Sequence, residues 1–94
     1  MKGIFEARVV VPHVILSAEG AAHIQLPRRA RALHRELCRT LPEGTYTLHD
    51  GWRNLTVSPA ATHTALATIH RHYVYADYDG PAGHPSTEPP AAQQ

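Results

Sequence analysis

Cysteine, lysine, phenylalanine and tryptophan occur once each in these 94 residues. The single thiol, Cys38, cannot close an internal disulfide, so nothing in the cysteine usage points to an oxidising compartment. No apolar run nears the roughly 20 residues of a membrane-spanning helix. The N-terminal stretch also lacks an apolar h-region followed by a small-residue cleavage site. The expectation is a soluble, cytoplasmic protein. A glycine-rich phosphate loop, a serine nucleophile elbow and suitably placed paired carboxylates are missing too. The chain is therefore not expected to be an enzyme, and it is expected to need no cofactor.

What the chain does have is arginine. Eight arginines stand beside Lys2, and alanine and proline are plentiful, a usage that fits a GC-rich bacterial or phage genome. Up to Ala76 nine basic residues face five acids, leaving +4, while Asp77, Asp79 and Glu88 bring the whole chain to +1. Most of the positive charge lies between Leu26 and Pro42. Placed on a helix at about 100° per residue, Leu26, Ala30, Leu33, Leu37 and Leu41 fall on one side. Arg28, Arg31, Arg35 and Arg39 fall on the other, in a stripe about 80° wide. Pro27 suits the first helical position and Pro42 forbids continuation, so a helix is predicted from Pro27 to Leu41.

Around this helix the pattern has a period of two. Gly3–Val11 alternates and reads as a strand, ended by Pro12. His13–Ser17 reads as a second strand or a continuation of the first. Ala18-Glu19-Gly20 is a turn and Ala21–Leu26 a short return. Gly44–Val57 is a hairpin turning at Asp50-Gly51, with Trp52 just past the turn. Ser58-Pro59 opens a second helix, the serine hydroxyl being the expected cap, with Ala65, Leu66, Ile69, Tyr73 and Ala76 on its apolar face. Its end is open: the apolar face runs on to Ala76, but His72–Tyr78 also has strand-like content, which would stop the helix near Arg71. The tail from Gly80 holds no apolar side chain larger than alanine and is expected to be disordered. The predicted fold class is α+β: one domain over residues 1–79, with about four antiparallel strands in the order β-(β)-α-β-β-α and two helices on one face of the sheet.

Eight histidines are the compositional oddity. His34 and Cys38, four apart on the first helix, make half a zinc site. His70 and His72 diverge by about 200° on a helix. Without a second converging pair no metal is predicted, and a His/Cys metal-binding protein is only the third reading. Catalysis by Cys38 with His34 as base has too little room in mid-helix, and His49-Asp50 reads as turn chemistry.

The run from Val14 to Pro59 resembles the swapped-hairpin AbrB-type transcription regulators: a turn at Glu19-Gly20, Ile24-Gln25-Leu26-Pro27, a helix, then a hairpin about Asp50-Gly51. That resemblance implies a dimer gripping DNA with arginines around the helix. The chain departs from it in a longer helix and in the added Gly3–Val11 and Ser58–Tyr78 segments. Lys2, Arg53 and Arg71 would extend the basic patch, and Tyr46, Trp52, Tyr73, Tyr75 and Tyr78 offer rings for base stacking. The expected function is a non-catalytic regulator or inhibitor, of the kind phages and mobile elements encode. It would dock Arg28, Arg31, Arg35, Arg39, Arg53 and Trp52 on an acidic or nucleic-acid-binding partner. A direct DNA- or RNA-binding dimer, paired through an edge strand such as Gly3–Val11, is the alternative.

Overall fold

A computed structural model describes residues 9–81. Its strands follow the alternation in the sequence. β1 (His13–Leu16) and β2 (Ala22–Gln25) form an antiparallel hairpin. Val14, Leu16, Ala22 and Ile24 turn into the core, whereas His13, Ile15, His23 and Gln25 face the opposite side. Gly20 takes φ +98° in the turn, where Ser17 Oγ accepts a hydrogen bond from the Ala21 N–H at 3.0 Å.

The first helix starts later than its spacing implies. α1 spans Arg31–Thr40, not Pro27–Leu41. The Leu26 N–H donates to the Arg53 carbonyl at 2.8 Å, which keeps the chain extended there. The Ala30 N–H then closes a turn onto the Pro27 carbonyl at 3.1 Å, and the His34 N–H makes the first i→i−4 bond, to Ala30, at 2.9 Å. A turn of this kind carries side chains at nearly helical spacing, so periodicity does not distinguish the two. Leu26 and Ala30 still reach the core beside Leu33, Leu37 and Leu41. Leu41 is extended, at ψ 132°, because Pro42 disfavours helical backbone in the residue before it.

β3 (Tyr46–His49) and β4 (Asn54–Val57) form the second hairpin around Asp50–Arg53. Asp50 and Gly51 both have positive φ, 54° and 103°, the backbone an Asp-Gly pair adopts most readily. α2 (Pro59–His72) follows, with Pro59 in its first turn. Ser58 holds the cap position but its hydroxyl makes no capping bond. The Thr62 hydroxyl instead donates to the Gly20 carbonyl at 2.6 Å, tying α2 to the first hairpin. Ala61, Ala65, Leu66 and Ile69 bury its inner face.

β5 (Asp77–Asp79) overlaps only the end of the strand-like run His72–Tyr78 and adds a strand beyond the four expected. It lies parallel to β1, so the sheet is mixed and five-stranded, in the order β3-β4-β2-β1-β5. Three residues, with only Tyr78 packed against the core, carry no detectable alternation. Both helices cover one face, and among the described residues the other is open. The predicted Gly3–Val11 strand and the predicted tail lie almost wholly outside the described residues; those that are described, 9–11 and 80–81, are not in strands.

Gly80 ends β5 at φ +103°, and a Cβ there would fall on the Leu16 carbonyl oxygen and 2.8 Å from the Leu16 nitrogen. Both obstacles are backbone. Gly80→Ala should detach β5 at a local cost of about 1–3 kcal/mol. Hydrogen exchange at the Asp77 amide, which donates to the Pro12 carbonyl, should then quicken at least about tenfold; unchanged exchange would show the site to be roomier than described.

Candidate functional site

The angular positions of its side chains divide α1 into four flanks. Leu33 and Leu37 face the sheet, with exposures of 1% and 0%. Glu36 and Thr40 face α2. The Glu36 carboxylate receives Arg71 Nε–H at 3.0 Å and further hydrogen bonds from Arg71 Nη2 and His72 Nε2, while Thr40 Oγ1 lies 3.3 Å from Thr68 Oγ1. His34 and Cys38 face the β3–β4 hairpin. His34 Nε2 is 3.6 Å from Cys38 Sγ, and its ring meets Trp52 edge-on at 5.4 Å between centroids. Cys38 in turn adjoins Tyr46 and raises the phenol's pKa. The fourth flank, turned to solvent, is arginine.

Arg31, Arg35 and Arg39 are exposed along that flank, one every four residues, and so about 6 Å apart along the axis. Arg28 is exposed on the preceding turn, beside Arg29, rather than on the helix. The Arg31 guanidinium lies over the Trp52 ring, 5.0 Å from its centroid. Arg28, Arg35 and Arg39 make no hydrogen bond or ion pair with other described residues. Glu36 is the one acid on α1, and its carboxylate is occupied on the α2 flank. The first turn of α1 contains no acidic residue and Ala30 caps it without a side-chain bond. Arg28, Arg29 and Arg31 therefore crowd the positive end of a helix dipole, where cations are disfavoured.

Two residues of the predicted patch do not join the row. Arg53 Nε–H donates to the Leu26 carbonyl at 2.9 Å, which fastens the loop to the end of β2. Arg71 is held by Glu36. Trp52 is half-buried and supports Arg31 from below, and Tyr46, Tyr73 and Tyr78 pack against the core, leaving Tyr75 the most exposed of the tyrosines at 63%. Lys2 lies outside the described residues.

The histidines separate rather than converge. Burial holds the His34 pKa below its ordinary 6.5. The Trp52 backbone opposes this, and the Arg31 and Arg35 charges add to the lowering. Its Nδ1 is buried without a hydrogen-bond partner. His70 bonds Tyr78 and the Tyr73 carbonyl, and His72 bonds Glu36. His23 and His49 lie nearly parallel on the open face with Thr56 between them, and His13 pairs with Asp79. Among the described residues no group of three or more His, Cys, Asp or Glu is placed to hold a metal ion. The open-face histidines occupy alternate strand positions; pairing register, which brings His23 and His49 together, is not readable from composition.

The interhelical clamp has a pH signature. Hydrogen bonds from His72 and then Arg71 hold the Glu36 carboxyl below its ordinary value near 4.5. A carboxylate with a depressed folded-state pKa contributes stability above its unfolded pKa and loses it as pH falls through the folded one. Wild type should therefore exceed Glu36→Gln in urea midpoint near pH 6, with the gap closing toward about pH 3. An equal gap at both pH values would mean that the clamp does not depend on charge.

Comparison with known proteins adds no relative: no family model, no curated protein and no solved structure matches this chain. The functional reading rests on geometry.

Proposed function

We propose that the protein is a non-catalytic regulatory or inhibitory binding protein that presents the α1 arginine row to an anionic surface of a protein partner. The observation that carries this is the arrangement of charge. Arg31, Arg35 and Arg39 point away from the core without internal counter-charges among the described residues, while the acid nearest them is drawn to the other flank. Arg31, with Arg28 and Arg29 on the preceding turn, stands at a helix start that disfavours cations, an electrostatic cost that a bound anion would relieve. Guanidinium suits carboxylate-lined and phosphate-mimicking surfaces because its fork matches planar anions bidentately. No helix among the described residues is long and apolar enough to cross a membrane.

The test is a photo-crosslinking residue at Ala32, which is exposed beside the row, with Ile15 on the open sheet face as control. Adducts to one protein from position 32, lost on Arg31→Glu with Arg35→Glu, are the expected result. Adducts from position 15 alone would overturn the assignment.

Direct nucleic-acid binding is the second reading, favoured by the all-arginine make-up of the row. It differs in one measurable respect. A gel shift with random duplex at low salt, weakening steeply as salt rises through counterion release, supports it, whereas the regulator reading expects no shift.

A further inference from the structure

The sheet ends in two edges of opposite character. β5 carries Asp77 and Asp79, carboxylates that repel a second copy of itself. β3 reads Tyr-Thr-Leu-His, with no charge, no proline and an unbroken register against β4. Among the described residues the devices that guard an exposed edge are missing there.

The pairing within the hairpin decides which backbone groups β3 offers. The Ser58 N–H donates to the Thr45 carbonyl at 2.8 Å. Backbone direction alternates along a strand, so Thr45, Thr47 and His49 point toward β4, and Tyr46 and Leu48 point their N–H and C=O groups outward. The same two side chains lie on the helix side of the edge, where Tyr46 is partly buried and Leu48 is 41% exposed. An apolar strip thus runs beside four outward backbone groups.

We propose that β3 pairs antiparallel with β3 of a second copy about a two-fold axis at Thr47, extending the sheet to ten strands. Opposed side chains must share a face. That admits Thr47 against Thr47, with Tyr46 against Leu48 on each side of the axis. The next register, Leu48 against Leu48, would set Tyr46 against Asp50, which has left strand geometry at φ +54°. In the Thr47 register the two Tyr46–Leu48 pairs exchange four N–H···O=C bonds and cover the apolar strip with aromatic–aliphatic contacts. Glu43 and Asp50, the nearest carboxylates, flank β3 without entering the seam.

A two-fold axis perpendicular to the sheet keeps both helix layers on one side. α1 lies over the β3 end, where His34 and Cys38 meet Trp52 and Tyr46. The two arginine rows then share one outer face. This consequence rests on the proposed function; the pairing itself does not.

Sedimentation equilibrium on the full chain tests the pairing directly. The mass should rise with concentration from 10.3 kDa to twice that. Thr47 is exposed on the open face, so Thr47→Lys and Thr47→Glu should fold normally. Each sets like charges across the axis and should weaken dimerisation at least about tenfold. An equimolar mixture of the two should dimerise again as a mixed pair. A wild-type protein that stays at 10.3 kDa into the millimolar range would overturn the proposal, as would a dimer that both variants leave intact. Variants that fail to rescue each other on mixing would overturn the register.

Discussion

Leu37→Ala should remove about 3–4 kcal/mol of stability, out of a total on the order of 5–14 kcal/mol for a domain of this length. Leu37 is fully buried and belongs, with Leu33, to the row that seats α1 on the sheet. Deleting its isobutyl group loses transfer free energy and leaves a cavity that two helices and a sheet cannot collapse around fully. The melting temperature should fall by roughly 12–25 °C. The contrast is Ile15→Ala on the open face, where the side chain is 45% exposed and the loss should stay under about 1 kcal/mol. Thermal melts of the two variants, taken together, check which face is covered. Equal losses would mean that something also packs on the side described as open.

Charge reversal on α1 should have the opposite profile, with a large effect on binding and little on folding. Each charge-assisted hydrogen bond lost to an anionic partner costs about 1.5–3 kcal/mol, so Arg35→Glu with Arg39→Glu should weaken partner binding at least about a hundredfold. Both side chains are exposed and unpaired among the described residues, so folding stability should move by no more than about 1 kcal/mol. Most of that shift should come from Arg39, because a carboxylate in the last turn opposes the helix dipole. Arg31→Glu carries two further effects that roughly cancel. It loses the contact with Trp52, about 0.5–1 kcal/mol, and gains a favourable charge at the helix start of similar size. Partner capture by the photo-crosslinker at Ala32, scored beside a urea melt of each variant, separates binding from folding. Unaltered capture by a folded double variant would remove the arginine row from the site.

Much of the architecture was legible because burial in a small domain leaves strong periodicities. The leucine spacing of α1, the alternation of β1 and β2 and the Asp-Gly turn each state a local preference that tertiary packing reinforces. The sidedness of α1 followed from the same rule, so the exposure of Arg31, Arg35 and Arg39 was readable from angles alone. The helix start was not, because a proline turn bonded across the sheet mimics helical spacing at Leu26 and Ala30. β5 was illegible for a different reason. Three residues, two of them aspartates, carry no apolar pattern, and their pairing with β1 depends on where α2 delivers the chain. Nor does sequence say which arginines are already engaged. Arg53 and Arg71 look like Arg35 in composition, yet one serves the Leu26 carbonyl and the other Glu36. Partner choice within the chain is a property of long-range contacts, separated by 27 and 35 residues.

That division among the arginines offers the most direct test of the binding face. Arginine Nε–H resonances of the labelled protein can be followed by NMR while a sulfated polyanion is added as a probe. Arg53 and Arg71, with Nε–H bonded inside the chain, should exchange slowly with water and hold their shifts. Arg35 and Arg39 should exchange fast in the free protein and respond first to the probe. A response led by Arg53 or Arg71, or slow exchange at Arg35 and Arg39 before any probe is present, would contradict an arginine row that is free to meet an anion.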